Sequence, residues 1–240
     1  MDPYQLIADI YEAEFGASET DIAYFSRTGG SGPVLVLGCG TGRICRGLEA
    51  LRPVVGVDRS APMIELARSL SPLTRYIIAD MRTFDGMVDI EHFEEILIPN
   101  ASFNFLSTRA DQAECLAACA RALRPGGTLV LDLPMPDPNW MHLRHTPEKP
   151  AWEGNVGGRT TRRTREVFRF PVAQRLELVD RYYIDGELVA TSPLYLRSIY
   201  PAEAEWMLEN AGFYVESLHG DHAGHPLREG CPRLILRAAL

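Results

Sequence analysis

A doubly wound α/β fold is predicted by three observations. An apolar run, VLVLGCGTG at residues 34–42, ends in three alternate glycines, and a second run, VVGVD, places an acid, Asp58, sixteen residues beyond Gly42. Strand and helix signals then alternate five times between residues 34 and 133. Such alternation requires a parallel sheet with right-handed crossovers, and the ligands of such sheets sit beyond the carboxyl ends of the strands.

The elements follow in chain order. Residues 2–28 carry Tyr4, Ile7, Tyr11, Phe15, Ile22 and Phe25 at near-helical spacings broken at Gly16, which predicts two short helices ahead of the first strand. Gly38, Gly40 and Gly42 then allow a tight turn into a helix starting near Thr41, whose N-terminal N–H groups favour an anionic group. After the second strand, Ser60 is a better helix N-cap than Asp58, and Pro62 falls in the first turn, so capping leaves Asp58 without a structural task. Residues 76–79, 95–99 and 128–133 read as the third, fourth and fifth strands.

Beyond residue 133 the pattern changes. Residues 134–158 are breaker-rich and polar and read as loop, and three alternating runs follow at 163–170, 175–184 and 187–200. Asp185-Gly186 joins the last two as a two-residue hairpin. These runs predict a small antiparallel β insertion between the fifth strand and the last helix, 201–211, which Gly212 terminates. Strands at 214–218 and 234–238 complete the main sheet. The chain is thus one domain over 1–240: a lid (1–30), a core (34–133), a β insertion covering the substrate (134–200) and the end of the core sheet (201–240).

Composition narrows the function. At 240 residues and 46% hydrophobic, the chain suffices for one α/β domain, and it contains neither a signal peptide nor an apolar segment long enough to span a bilayer, so a cytoplasmic protein is expected. The five cysteines, Cys39, Cys45, Cys115, Cys119 and Cys231, form no CxxC pair and suggest neither disulfides nor zinc. A net charge of −8 disfavours a broad nucleic-acid surface, and Lys149 is the only lysine beside 23 arginines. The local exception, RTTRRTR at 159–165, reads as a solvated strand face, with an anionic substrate or RNA as the alternative.

The glycine spacing separates two cofactor classes. A dinucleotide site has G-x-G-x-x-G/A, and here the last position is Arg43. The sequence has G-x-G-x-G instead, and GCGTG with Asp58, Asp80-Met81 after the third strand, Pro99-Asn100 after the fourth and LRPGG at 123–127 resembles the class I S-adenosylmethionine-dependent methyltransferases of bacterial small-molecule type. That resemblance implies a Rossmann-like seven-stranded mixed sheet whose last strand is antiparallel. It implies that S-adenosyl-L-methionine is bound, leaving S-adenosyl-L-homocysteine as product. Gly38, Cys39, Gly40, Thr41 and Gly42 would form the loop beneath it, Asp58 would meet the ribose, Arg59 and Met63 would also bind the cofactor, and Asp80 and Met81 would meet the adenine. Pro99 and Asn100 would lie by the methionine part, and Tyr11, with Tyr4 second, would approach from the lid.

The acceptor is less defined. Ile98-Pro99-Asn100-Ala101 stands where methylases of exocyclic amines carry Asn-Pro-Pro-Tyr, which disfavours base or amide methylation and leaves an N, O or carboxylate nucleophile of a small metabolite or natural product. For a hydroxyl or ammonium acceptor a general base matters, and the candidates are His142, His145, His219, Asp221 and His222. The x2 spacing of His219, His222 and His225 among Gly and Pro does not fit a metal site, so no metal is expected. RNA methylation is the alternative within the class, and a non-methylating cyclase or cofactor sensor the alternative outside it. A small-molecule substrate, no membrane and a monomer or homodimer complete the expectation.

Overall fold

The computed structural model describes residues 7–88, 92–137 and 142–240, so Tyr4, Asn139 and Trp140 lie outside the described residues. Two lid helices, α1 (Ala8–Phe15) and α2 (Thr20–Thr28), precede an alternation of β1 (Val34–Leu37), α3 (Arg43–Leu48), β2 (Val54–Asp58), α4 (Ala61–Leu70), β3 (Arg75–Ile78), β4 (Phe93–Ile98), α5 (Arg109–Ala122) and β5 (Leu123–Pro134). A second group, β6 (His145–Val156), β7 (Arg159–Phe170), β8 (Arg175–Ile184) and β9 (Glu187–Arg197), leads to α6 (Pro201–Asn210), β10 (Tyr214–His219) and β11 (Arg233–Ala239).

The seven-stranded sheet has the order β10-β11-β5-β4-β1-β2-β3, with β11 antiparallel to both neighbours and the remaining core pairs parallel. β1 reads Val-Leu-Val-Leu and is buried throughout, as a central parallel strand covered on both faces must be. Leu35 and Leu37 join the cluster beneath α5 and α6, while Val34 and Val36 join the one beneath α2, α3 and α4. The order reverses at β1, between β2 and β4, which places the crevice at the carboxyl ends of these three strands.

The insertion forms a separate four-stranded antiparallel sheet, β6-β7-β8-β9. Asp185 and Gly186 both adopt positive φ, 50° and 90°, as the expected tight hairpin requires. Residues 145–156, expected as loop, are instead a strand. β6 pairs with a single neighbour, carries Pro147 and Pro150 where the pairing slips, and is exposed over most of its first half, so alternation is confined to its end, where Trp152, Gly154 and Val156 are partly buried. Gly157 and Gly158, at φ 59° and 82°, form the turn that pairs it with β7, which begins at Arg159 rather than 163.

Among the described residues no helix is long and apolar enough to cross a membrane.

Candidate active site

The glycine loop and the ends of β2, β3 and β4 border one cleft. It is lined by Tyr11 from the lid, Gly38 and Gly40 from the loop, Asp58, Arg59 and Met63 after β2, Asp80 and Met81 after β3, and Asn100 after β4. Val57, Ala79, Ser102, Phe105 and Leu106 complete its wall. Cys39, Thr41, Gly42 and Pro99 are not part of that lining. Cys39 is buried, and burial pushes its thiol well above the ordinary value, so it is an inert apolar contact. Thr41 donates to Glu12 Oε2 at 2.5 Å, and Pro99 is buried. The helix begins at Arg43, with Gly42 at its N-cap at φ 79°.

Asp58 has a structural task after all. Its Oδ2 accepts from the Gly40 N–H and its Oδ1 from the Ser60 N–H, both at 2.9 Å, so it fastens the glycine loop to the start of α4. The Ser60 hydroxyl, expected to cap α4, makes no capping bond. A carboxylate offers acceptor lone pairs of the kind that ribose hydroxyls donate to. Asp80 is held by Arg82, which donates Nε to Oδ1 at 2.9 Å and Nη2 to Oδ2 at 2.8 Å, and this pairing keeps the carboxyl below its ordinary value.

A second cavity, of about 570 Å³, borders the first and shares Tyr11, Asn100 and Phe105 with it. Its roof is the inner face of the antiparallel sheet, including Val167, Leu178, Leu194 and Leu196, and its floor includes Asn104, Met135 and Arg233. The arginine run is divided by the two-residue period of β7. Arg163 and Arg165 face the cavity, where Asp180 binds both and Glu14 binds Arg163. Arg159 pairs outward with Asp185, and Arg162 lies over the Tyr183 ring. A uniformly solvated face is therefore not what forms.

Tyr11 sits where the cavities meet, and burial pushes its phenol up to about 12. Its helix is fastened on two sides: Glu12 to Arg46 at 2.6 Å and Glu14 to Arg163 at 2.5 Å. A bond network between distant segments has no counterpart in the sequence signals. Arg43 donates to the Ser18 carbonyl and to Asp21, and Asp21 Oδ2 also accepts from Asn100 Nδ2 at 3.0 Å. Burial raises the Asp21 carboxyl, but the Arg43 and Asn100 bonds outweigh it and hold it low. Thus the residue that breaks the dinucleotide pattern is the one that docks the lid.

Of the proposed bases, only His222 lines the second cavity. His145 pairs with Glu166 at 2.8 Å and stacks on Phe168, and Asp221 accepts from the Ala223 and His225 N–H groups and shapes its own loop. His142 is exposed and lines neither cavity. His219 is turned toward the lid, with Nδ1 2.7 Å from the Tyr24 hydroxyl. Burial lowers the His219 imidazole below its ordinary 6.5. Below about pH 6.5 the unfolded chain takes up a proton that the fold resists, so stability is whole above that pH and declines as pH falls toward the depressed folded value. Chemical denaturation from pH 7.5 to 5 is expected to show that decline, and His219→Gln to flatten it.

A family model described as methyltransferase domain matches residues 34–127, which include the glycine loop, Asp58, Asp80 and Asn100. These residues form a methyltransferase domain. The chain is 29% identical over 192 residues to a trans-aconitate 2-methyltransferase of Azoarcus sp., a match covering 78% of this chain and 66% of that one. The fold is similar to that of the CcbJ methyltransferase from Streptomyces caelestis, with a TM-score of 0.80 at 22% identity over 98% and 96% of the two chains. It also matches the sugar N-methyltransferase KedS8 from Streptoalloteichus sp., with a TM-score of 0.72 at 22% identity over 96% and 91%.

S-Adenosylmethionine is the cofactor of a structure similar to this one, and the first cleft fits it. Gly38 and Gly40, at φ 67° and 56°, bring bare backbone to the wall, Asp58 offers acceptors, and Val57, Met63, Ala79 and Met81 give an apolar surface for a base. We assign the cofactor to this cleft. Asp58→Ala is then expected to weaken S-adenosylmethionine binding by about 1–3 kcal/mol in calorimetry, while releasing the Gly40 and Ser60 N–H groups lowers stability in parallel.

Proposed function

We propose that this methyltransferase acts on a small metabolite or natural product held in the second cavity, at an N, O or carboxylate nucleophile. The observation that carries this reading is the boundary: both cavities share Tyr11, Asn100 and Phe105, so a molecule under the antiparallel sheet lies against the cofactor cleft. A volume of about 570 Å³ is ordinary for a small-molecule site, which spans roughly 300–1,000 Å³.

Bound S-adenosylmethionine supplies a methyl group already made electrophilic by its sulfonium. The chain's own contribution is alignment and exclusion of water. Tyr11 and Phe105 flank the approach, and the leucines and Val167 of the roof bury the acceptor's apolar part. Holding two reactants in line contributes about 7–11 kcal/mol in favourable cases.

Charge supports a compact acceptor over RNA. The cavity guanidiniums of Arg43, Arg163, Arg165, Arg197 and Arg233 each have a carboxylate partner, so the cavity presents no unpaired arginine among the described residues to a phosphate chain. The activities for which the relatives are named, on trans-aconitate and on a sugar nitrogen, agree with a small acceptor.

Release of S-adenosylhomocysteine on incubation with candidate acceptors tests the reading. Leu194→Trp, which fills the roof, is expected to lower that turnover by about 10²-fold through misplacement while S-adenosylmethionine binds as before. Cofactor binding without release from any acceptor would instead favour the cyclase or sensor reading.

A further inference from the structure

We propose that His222 takes the proton of the methyl acceptor, with Asp132 positioning its ring, and that the acceptor is therefore an amine or hydroxyl compound rather than a free carboxylate. The inference rests on the proposed function and deepens it by naming the nucleophile.

Asp132 lies two residues before the end of β5 with its side chain fully buried. Its Oδ2 accepts from the Asn100 N–H at 3.0 Å and lies 3.1 Å from His222 Nε2, while Oδ1 accepts from Arg233 Nε at 2.8 Å and Nη2 at 2.5 Å. Burial raises this carboxyl, but His222, Arg233 and the Asn100 N–H together hold it below the ordinary value, so it is ionised at neutral pH. An ionised carboxylate only accepts, hence Nε2 carries the hydrogen of that bond and Nδ1 is the nitrogen left to accept a proton. Nδ1 makes no hydrogen bond among the described residues.

The ring is held as a working group would be. Tyr24 and Phe25 of α2 pack edge-on against it, with centroids at 6.0 and 6.3 Å, and Arg27 Nη2 donates to the His222 carbonyl at 2.7 Å. Asn100, which Asp132 holds through its N–H, lines both cavities, so the pair stands beside the boundary at which donor and acceptor meet. A buried carboxylate that fixes the tautomer of a histidine facing a substrate cavity is the orienting arrangement of general-base catalysis.

The step balances without another reactant. The lone pair of the acceptor's nitrogen or oxygen forms the bond to the methyl carbon, the carbon–sulfur bond breaks with its electron pair kept by sulfur, and the acceptor's proton passes to Nδ1 and thence to water. A carboxylate acceptor has no proton to lose and would leave this arrangement without use.

Two readouts test it. In the protein without substrate, nitrogen NMR of histidine-labelled protein at pH 8 is expected to show His222 with hydrogen on Nε2 and a bare Nδ1. The opposite tautomer overturns the assignment. In the second, S-adenosylhomocysteine release is followed with D-glucosamine, catechol and trans-aconitate. Release with the amine or the phenol is expected, falling about 10²–10⁴-fold in His222→Gln, which retains a donor toward Asp132, and partly restored by imidazole in His222→Ala. S-Adenosylmethionine affinity is expected to stay unchanged in both variants. Release with trans-aconitate alone, no release with the amine or phenol despite cofactor binding, or wild-type turnover in His222→Gln would each overturn the inference. Failure of the wild-type protein to bind S-adenosylmethionine would instead overturn the reading beneath it.

Discussion

Asp132→Ala is expected to cost the fold about 3–5 kcal/mol, because removing one member of a buried ionic group strands its partners. Four donors converge on this carboxylate, from Asn100 N, His222 Nε2 and two nitrogens of Arg233, and the side chain has no exposure to water that could replace it. The loss would reach beyond stability. Asn100 sits at positive φ, 52°, and its N–H bond to Asp132 helps hold that strained turn between the two cavities. Urea denaturation measures the first effect and S-adenosylmethionine calorimetry the second. The acid limb follows by linkage: the depressed carboxyl gives its full stabilisation above about pH 4, and this is lost as pH falls through the lower folded value. Asp132→Ala is expected to lack that contribution.

Gly42→Val is expected to cost roughly 2–5 kcal/mol and to abolish cofactor binding with it. Gly42 holds φ 79° at the N-cap of α3, a conformation that costs a side-chain-bearing residue about 1–2 kcal/mol and a β-branched one at least that. A Cβ there would stand 2.3 Å from the Tyr76 hydroxyl and 3.1 Å from the Ala67 Cβ, which adds about 1–3 kcal/mol of overpacking. Tyr76 is itself buried between the sheet and α4, so the loop rather than the ring must give. That displacement carries Gly40 away from Asp58 and disorganises the wall of the first cleft. Gly86 is the control, since a methyl group added there would meet nothing within 4 Å and its φ is not positive. Gly86→Ala is expected to leave both thermal midpoint and affinity near the wild type.

The parts of this site that could be read from the sequence share a local cause. Gly38, Gly40, Asp58, Asp80 and Asn100 follow buried strands directly, and a parallel sheet places all strand ends along one edge, so order in the chain becomes neighbourhood in space. Arg43–Asp21 and Asp132–Arg233 join residues 22 and 101 positions apart, and no periodicity reports such a pairing. Arg163 and Arg165 were within reach: on a strand they alternate with Arg162 and Thr164 and continue to Val167, so one face of β7 carries all three cavity residues. What hid them was the unknown cover, since only the lid and α1's Glu14 turn that face into an interior. β6 escaped for the converse reason, being an edge strand whose first half is largely exposed and whose alternation is limited to Trp152, Gly154 and Val156. Among the five base candidates, four histidines and Asp221, only packing separated His222 from the rest.

The central claim is that the cleft of Gly40 and Asp58 holds S-adenosylmethionine, and one calorimetric titration tests it most directly. The purified protein is titrated in parallel with S-adenosylmethionine, S-adenosylhomocysteine, NAD and NADP, beside the Asp58→Ala variant. Saturable binding of the two adenosyl-sulfur compounds alone, weakened in the variant, is the predicted result, and at a hundred times the dissociation constant either ligand adds about 2.7 kcal/mol of stability. Binding of NAD or NADP in their place, or equal affinity in Asp58→Ala, would contradict it.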